Sequence, residues 1–350
     1  MRSFALKASL ALALGLPLSL AGCHADADPQ RTAEPSPLTI TANTVRWNLD
    51  DLSETHTGKL KYLGGLELNS PNSNFGGLSG LHIDASGTQL LAISDQGHWL
   101  SAHIQINDAG LPIGLDGAVL APLLDENGSV LEGKSNTDAE GLTVHTTNEG
   151  TRQACVSFER KHRVLCYTYA GTQTPQGPAR KLKLPTSFTS QLKNNGSLET
   201  LLFMEGESEK FLTIAEQSTS KAHATLLFSG DVAVEKSIAE QPPYAITDAA
   251  RIPSTGDIIL LERRFSPLAG VGLSLRRITK AAWTEQSPKP IEGETLLNVG
   301  NRYSIDNMEG LSVVEKPDGS IWLHMVSDDN FNSLQRTLLL TFELIPEARL

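Results

Sequence analysis

The sequence is short of aromatic and basic residues, and each shortage argues against a class of protein. Aromatic residues make up 5% of the 350 positions, whereas 29 glycines and 18 prolines interrupt short apolar runs. This composition is typical of many short strands joined by turns. Lysine and arginine number 29 against 40 aspartates and glutamates, for a net charge of −11. The balance argues against a nucleic-acid partner, because binding phosphates needs basic patches, and is compatible with cation binding.

Common catalytic motifs are also missing. The nine histidines include no His-Glu-x-x-His or other zinc-ligand spacing, and no phosphate-binding glycine loop or dinucleotide fingerprint occurs. Ser79 lies in Gly77-Leu78-Ser79-Gly80, which is not the Gly-x-Ser-x-Gly nucleophile elbow. A serine esterase using Ser79 and a distant histidine is therefore a weak alternative.

No later segment is apolar for long enough to span a bilayer, but residues 1–22 have the form of a signal peptide. Arg2 and Lys7 provide a basic start, and residues 8–20 are apolar. The sequence Leu20-Ala21-Gly22-Cys23 resembles the bacterial lipobox, in which the cysteine is lipidated. A lipid on Cys23 would anchor the chain without a spanning helix. The alternative is an ordinary secretory signal with an incidental cysteine.

The residues after the cysteine complete the expected organisation. By the same resemblance, His24 in place of aspartate favours the outer membrane of the bacterial cell envelope, facing the periplasm. Residues 23–37 are predicted to hold the lipid anchor and a flexible tether, and residues 38–350 to form a single domain.

The other two cysteines are predicted to form a disulfide. If Arg160-Lys161 is the turn of a two-residue hairpin, Cys155 faces Cys166 on the neighbouring strand. Directly opposed residues are close enough to bridge, and an envelope location is oxidising. A longer turn would break this register and leave two buried thiols.

One pattern occurs five times between residues 79 and 328. Each copy has a carboxylate or small polar residue, a short apolar strand, a turn, a second apolar strand and a further acidic residue. The copies open at Ser79, Glu140, Glu199, Asp248 and Glu309 and close at Asp95, Glu159, Glu216, Glu262 and Asp328. The openings are 61, 59, 49 and 61 residues apart, and a repeat of that length predicts a β-propeller.

The geometry of a propeller blade would bring these acidic residues together. Consecutive strands of a blade are antiparallel, so the start of the first and the end of the second lie on one face of the disc. We therefore expect an inner acidic ring from the openings and an outer ring from the closings, around one mouth.

The strand count predicts an all-β propeller of five four-stranded blades. The last copy supplies only three strands, and Leu60–Leu68 is available as the fourth, which would close the ring and remove exposed edges. Six blades are an alternative, because residues 38–47 and 118–131 are also strand-like. The rival architecture is a pair of β-sandwiches, which would not predict the recurring carboxylate.

The motifs and their order carry a family resemblance. They are residues 77–81, 138–142, 195–199, 246–248, 261–265, 307–311, 327–332 and 335–337. Together they resemble the bacterial phytase-like family, also described as having the esterase-like activity of phytase. The resemblance extends from about Leu60 to Leu344 and implies an envelope or secreted protein that hydrolyses phosphoesters or esters.

The acidic rings have the chemistry of a site for calcium or another divalent cation. Such cations take oxygen ligands from carboxylates, amides and carbonyls, and the candidate ligands are Glu140, Glu199, Asp248, Glu309, Asp328 and Asn330. Asp328-x-Asn330-x-Asn332 has alternating oxygen donors but lacks the glycine and the distal glutamate of an EF-hand. A structural role in turns between blades is the alternative for each acidic residue.

The predicted function is metal-assisted hydrolysis at the acidic mouth. Metal ions offset repulsion between carboxylates and a phosphate and lower the pKa of bound water. The candidate catalytic residues are Arg263, Arg336 and Glu262, with the arginines orienting a small phosphorylated or ester substrate. A monomer is expected. The alternative function is a non-catalytic binding propeller with structural cations.

Overall fold

The computed structural model describes residues 34–346, apart from residues 172, 205–208, 220, 231, 267 and 269. The predicted signal peptide and Cys23 lie outside the described residues. Within the described part, no helix is long and apolar enough to cross a membrane.

The described chain forms a five-bladed β-propeller. Three short strands, β1 (Ser36–Pro37), β2 (Thr41–Thr44) and β3 (His56–Thr57), come first, and the longer β4 (Leu60–Asn69) follows them. The first blade contains β5 (Leu78–Ile83), β6 (Gln89–Ser94), β7 (His98–Ile106) and β8 (Pro112–Pro122). The short helix α1 (Lys134–Thr137) leads to the second blade. That blade contains β9 (Ala139–Thr146), β10 (Arg152–Phe158), β11 (Arg163–Thr168) and β12 (Arg180–Leu182).

The remaining blades follow the same antiparallel order. After α2 (Thr186–Thr189), the third blade contains β13 (Leu202–Met204), β14 (Lys210–Thr219), β15 (Ala222–Ser229) and β16 (Val232–Ala239). The fourth blade contains β17 (Ala245–Arg251), β18 (Ile258–Ser266), β19 (Gly270–Ile278) and β20 (Glu294–Gly300), and α3 (Lys280–Thr284) precedes its last strand. The fifth blade begins with β21 (Asn307–Glu315), β22 (Ile321–Asp328) and β23 (Thr337–Leu344).

The ring is closed by the N-terminal strand, as predicted. β4 pairs with β23 from Leu60 opposite Leu344 to Leu68 opposite Thr337, and β2 adds a further strand beside it. Residues 118–131 provide the end of β8 in the first blade, and residues 38–47 contain β2. Neither forms a sixth blade, so five is the count. Ser36 and Pro37, at the end of the predicted tether, pair with β8.

The strands near the axis are apolar on both faces because each blade packs between two others. In β18, residues Ile258, Ile259, Leu260 and Leu261 are at most 1% exposed. A sheet with two buried faces gives a continuous apolar run rather than strict alternation. This explains why the first two strands of each copy were recognisable in the sequence.

Cys155 and Cys166 face each other across the β10–β11 hairpin and form a disulfide. The register continues to Phe158 opposite Arg163, so residues 159–162 form the turn, with Arg160 and Lys161 at its centre. The predicted disulfide is confirmed, and its basis in hairpin register is the one expected.

Candidate functional site

In four of the five blades, a β-bulge lies at the start of the innermost strand. In β5 and β21 the pairing register shifts across Ser79 and Glu309, so each is an extra residue relative to the second strand. The shift in β9 falls across Glu140 and Gly141. A bulge re-aims the side chain that it carries, and here it places these residues at the mouth.

The bulge in the fourth blade lies one residue earlier than the sequence pattern suggested. In β17 the shift falls across Thr247, not Asp248, and Arg263 on β18 lies opposite Ala245, the position equivalent to Asp328 opposite Asn307. In these four blades the inner positions are therefore Ser79, Glu140, Thr247 and Glu309, and the outer positions are Asp95, Glu159, Arg263 and Asp328. By the sequence pattern, Glu199 and Glu216 are the equivalent residues of the third blade.

The expectation that Asp248 and Glu262 face the mouth is corrected by this offset. The Asp248 carboxylate accepts hydrogen bonds from the backbone N–H of Leu311 at 2.6 Å and of Ala249 at 2.8 Å. Glu262 accepts from Arg276 Nη2 at 2.5 Å and from Ser274 Oγ at 3.3 Å. Both carboxylates bind groups within the blades, which is a structural role.

The other acidic residues converge as predicted. Asp329 acts electrostatically on Asp95 and Asp328 from the edge of a larger group. The other carboxylates in the described part of the chain that act on one another are Asp95, Asp138, Glu140, Glu159, Glu199, Glu216, Glu309 and Asp328. We call these eight residues the mouth cluster. In its densest part, a carboxylate oxygen from each of Asp138, Glu140 and Glu159 lies within 4.8 Å of the other two.

Glu140 is the unpartnered member of this triad. Its residue surface is 9% exposed, and the largest charge effects on it come from Glu309, Glu159, Asp138 and Asp95, whereas the Arg160 guanidinium acts on it more weakly. Among the described residues no donor forms a hydrogen bond with its side chain. Asp138, in contrast, pairs with Lys134 and Arg160, and Glu159 accepts a hydrogen bond from the Gly196 N–H. A buried carboxylate without a donor is costly unless a proton or a cation compensates it.

The pKa values of several carboxylates in the cluster are raised, as expected where positive charge is scarce. Burial and, next, the charge of Glu309 raise the pKa of Glu140 well above the usual range. Burial and, next, the charge of Glu140 do the same to the pKa of Glu199. Burial raises the pKa of Glu309 to about 7 despite the opposing charge of Arg263. Burial and the Glu309 charge raise the pKa of Asp328 to about 8. Near neutral pH the cluster can therefore exchange protons.

Sequence comparison assigns the chain to a family. The profile described as "Phytase-like: Esterase-like activity of phytase" matches residues 73–331, more than half of the 350 residues. The chain belongs to the phytase-like family. No curated protein matches this phytase-like chain in sequence.

Several solved structures are similar at low scores. A hydrazine synthase from Kuenenia stuttgartiensis is 12% identical over 74% of this chain and 58% of its own, with a TM-score of 0.34, so the phytase-like chain spans less than two thirds of it. An exo-β-1,3-galactanase from Clostridium thermocellum is 10% identical over 85% and 78%, with a TM-score of 0.39. U3-55K is 6% identical over 81% and 98%, with a TM-score of 0.40. These likenesses carry no argument about function.

The buried triad of this phytase-like chain fits a metal ion by its chemistry. Its donors are carboxylate oxygens, which hard divalent cations prefer, and Glu140 lacks any other compensating group among the described residues. Asp95, beside the triad, also has a buried Oδ1 without a hydrogen-bond partner. Asp138 was not among the predicted ligands, although it precedes Glu140 by two residues and such residues share one side of a strand.

Other predicted site residues lie outside the cluster. Asn330 is exposed, and its backbone N–H donates to Asp328 Oδ1 at 2.6 Å. Asp328 therefore stabilises the loop that follows it. Arg336 lies at the start of β23, one strand further from the axis, with Nε 3.7 Å from Asp306 and Nη1 3.8 Å from Glu67. Of the three predicted catalytic residues, Arg263 is the one at the mouth.

A ring of aliphatic side chains separates the mouth from the opposite end of the axis. The ring consists of Leu81, Leu142, Leu201, Ala249 and Leu311, each two residues after an inner position and each at most 5% exposed. These five residues also line a cavity of about 390 Å³ that continues along the second halves of the innermost strands. The phytase-like mouth is therefore a site on one face, with an apolar floor.

Proposed function

We propose that this propeller is a metal-assisted hydrolase of phosphoesters or related esters. The observation that carries the proposal is the buried, unpartnered carboxylate of Glu140 within the Asp138–Glu140–Glu159 triad. These three residues would hold calcium or a similar divalent cation. A bound cation would supply positive charge for a substrate phosphate and lower the pKa of water.

Glu309 and Asp328 are the proposed base and acid. With a pKa of about 7, Glu309 is suited to accept a proton from the attacking water, because catalytic bases work best near the operating pH. Asp328, with a pKa of about 8, retains a proton that it can give to the departing oxygen. As the bond from water to phosphorus or carbonyl carbon forms, the bond to the alcohol breaks and the alcohol leaves protonated.

Arg263 is the proposed substrate-binding cation at this mouth. Its side chain is 27% exposed, and Nε and Nη2 lie near Glu309 and Glu216. Nη1 takes part in neither contact and is available in this scheme for an anionic oxygen of the substrate.

The second candidate function is a non-catalytic binding propeller with a structural cation. The observation that favours it is the burial of the triad: Glu140 is 9% exposed, Glu159 is 4% exposed and Asp138 is 3% exposed. An ion enclosed to this degree can stabilise the fold without meeting a substrate.

Activity assays distinguish the two functions. We expect a generic phosphoester or carboxylic ester to be hydrolysed by protein supplied with calcium, magnesium or manganese, and EDTA to abolish the activity while the fold persists. Glu309→Gln should remove most activity, whereas Glu343→Gln, whose carboxylate pairs with Lys61 at 3.5 Å, should not. No turnover on a broad substrate panel with all three metals would refute the enzyme and leave the binding propeller.

We propose further that the chain is attached to the bacterial cell envelope by a lipid on Cys23, after removal of residues 1–22. The lipobox-like sequence supports this proposal. Cys23→Ala should stop incorporation of labelled fatty acid and move the protein from the membrane fraction to the soluble envelope fraction. Unchanged membrane association in the variant would contradict it.

A further inference from the structure

Arg263 occupies a position that carboxylates occupy in the other four blades. The equivalent residues at the end of each second strand are Asp95, Glu159, Glu216 and Asp328. The fourth blade thus places a guanidinium where the pattern would place a fifth carboxylate. The side chain is directed at the mouth cluster, because Nη2 lies 3.3 Å from Glu216 Oε1 and Nε lies 3.2 Å from Glu309 Oε1.

The guanidinium acts on one part of the cluster, and this part stays in contact with the rest because the side chains of Glu199 and Glu159 share a hydrogen bond. Four carboxylates act on the charge of Arg263: Glu309, Glu216, Glu199 and Asp328. The triad of Asp138, Glu140 and Glu159 lies in the other part. There Lys134 and Arg160 compensate Asp138, but Glu140 keeps no donor among the described residues.

The two parts therefore differ in what they lack. Around Arg263 a positive charge is already present, and Glu309 has a second donor in Asn307 Nδ2 at 2.7 Å. In the triad the nine-tenths-buried Glu140 has no hydrogen-bond donor among the described residues, and its strongest charged neighbours are the carboxylates of Glu309, Glu159 and Asp138. Glu140 therefore lacks a paired cation, whereas Glu309 and Glu216 are paired with Arg263.

We propose that Arg263 takes the place of a second metal ion, so that the mouth binds one divalent cation at the triad and a chain without this guanidinium binds two. The second site would use Glu199, Glu216, Glu309 and Asp328. The inference rests on the proposed metal centre. It specifies a centre of one ion and one guanidinium, in place of a pair of ions sharing carboxylates.

Counting bound ions in the full-length chain tests the proposal. Protein stripped with EDTA is equilibrated with manganese, and bound metal is measured by mass spectrometry and by the electron paramagnetic resonance spectrum, in which two neighbouring ions broaden each other's signal. We expect one ion in the wild type and two coupled ions in Arg263→Met.

Two matched variants serve as controls. Arg263→Lys keeps a positive charge at the position and should bind one ion. Arg264→Met removes the adjacent guanidinium, which contacts the Tyr244 hydroxyl at 3.3 Å and not the mouth cluster, and it should also bind one ion.

The outcomes separate this inference from the proposed function. One ion in both the wild type and Arg263→Met, or two in the wild type, would overturn the role of Arg263 and leave a metal centre in place. No ion in the wild type would refute the metal centre itself. If Arg263→Met folds poorly, millimolar calcium should restore its near-ultraviolet circular dichroism, and failure to restore it would also overturn the inference.

Discussion

Two buried carboxylates, Glu140 and Asp248, show how neighbouring donors decide the role of an acidic residue. Both have a pKa well above the usual range because of burial. Asp248 accepts two backbone N–H groups and joins the fourth blade to the fifth. Glu140 has no such donor in the described part of the chain and lies among other carboxylates. Both are buried acidic residues, but only Glu140 gains from a cation.

Glu140→Gln should have opposite effects on the metal-free and the metal-bound protein. Because glutamine cannot ionise, the variant avoids the cost of burying a charge or taking up a proton at this position, so the melting temperature in EDTA should rise. Removing a ligand should weaken calcium binding by roughly 10- to 100-fold or more. Thermal unfolding with EDTA and with calcium measures both effects, with Glu343→Gln as the control. A lower melting temperature in EDTA, or unchanged calcium binding, would contradict the assignment.

Asp248→Ala should destabilise the fold and leave metal binding unchanged. The variant leaves the buried N–H of Leu311 without its acceptor, and an unsatisfied buried donor together with the lost second bond costs about 2–3 kcal/mol. Urea unfolding measures the free energy, and a calcium titration of the folded variant measures the affinity. A calcium affinity that falls with the stability would show that Asp248 acts on the metal site after all.

At the level of the strand, the glycines after Glu140 and Glu309 are explained by the approach of the next blade. A Cβ added to Gly141 would lie 2.6 Å from Leu201 N and 2.7 Å from Thr200 C. At Gly310 it would lie 3.1 Å from the backbone of Gly80. The Glu-Gly-Leu motif therefore combines a residue for the mouth, a close contact between innermost strands and a leucine of the apolar ring.

Gly141→Ala should consequently cost about 2–3 kcal/mol of folding free energy, since backbone atoms cannot move aside as a flexible side chain can. Gly150→Ala is the matched control, because its added Cβ meets nothing within 4 Å and the backbone has a φ of +81°. We expect this left-handed conformation alone to cost about 1 kcal/mol of folding free energy. Chemical denaturation compares the two variants. Equal losses of stability would show that packing between innermost strands does not constrain position 141.

Strand pattern and hairpin register were accessible from the sequence, whereas the position of a bulge was not. The Cys155–Cys166 pair followed from a count outward from Arg160 and Lys161. The mouth residues of the fourth blade did not, because one extra residue moves the assignment from Asp248 to Thr247 and from Glu262 to Arg263. The sequence shows that an acidic residue is present, but the register with the neighbouring strand decides towards which face of the sheet its side chain points.

For the whole molecule, closure of the ring brings together acidic residues from four blades that are far apart in the chain. β4 completes the fifth blade through its pairing with β23, and this closure was predictable because the last copy lacked a strand. The composition of the resulting cluster was less predictable. Asp138 and its partners Lys134 and Arg160 belong to it through the loops around α1 and the β10–β11 hairpin, whose geometry no repeat pattern specifies.

The stability of the molecule should fall on both sides of a mildly acidic pH when metal is removed. Glu309 and Asp328, with pKa values of about 7 and about 8 against ordinary values of 4.5 and 3.8, bind protons more tightly when folded. Their contribution is therefore lost as pH rises towards 8. Burial lowers the pKa of His324 from 6.5 to about 3. Below pH 6.5 this histidine takes up a proton in the unfolded chain but not in the folded protein, so the folded state loses stability as the pH falls.

Calcium should reduce the loss on the alkaline side only, since it compensates ionised carboxylates and not His324. Thermal unfolding between pH 4 and pH 9, with EDTA or with calcium, measures the loss of stability at both acid and alkaline pH. A melting temperature in EDTA that does not fall above neutral pH, or a calcium effect of equal size at both extremes, would contradict this account of the cluster.

Crystals of the protein soaked in manganese would test the metal centre most directly, by anomalous diffraction. The account predicts one anomalous peak at the mouth, within bonding distance of carboxylate oxygens from Asp138, Glu140 and Glu159, and no such peak in Glu140→Gln. An empty triad in manganese-soaked crystals, or a peak elsewhere on the propeller alone, would contradict it.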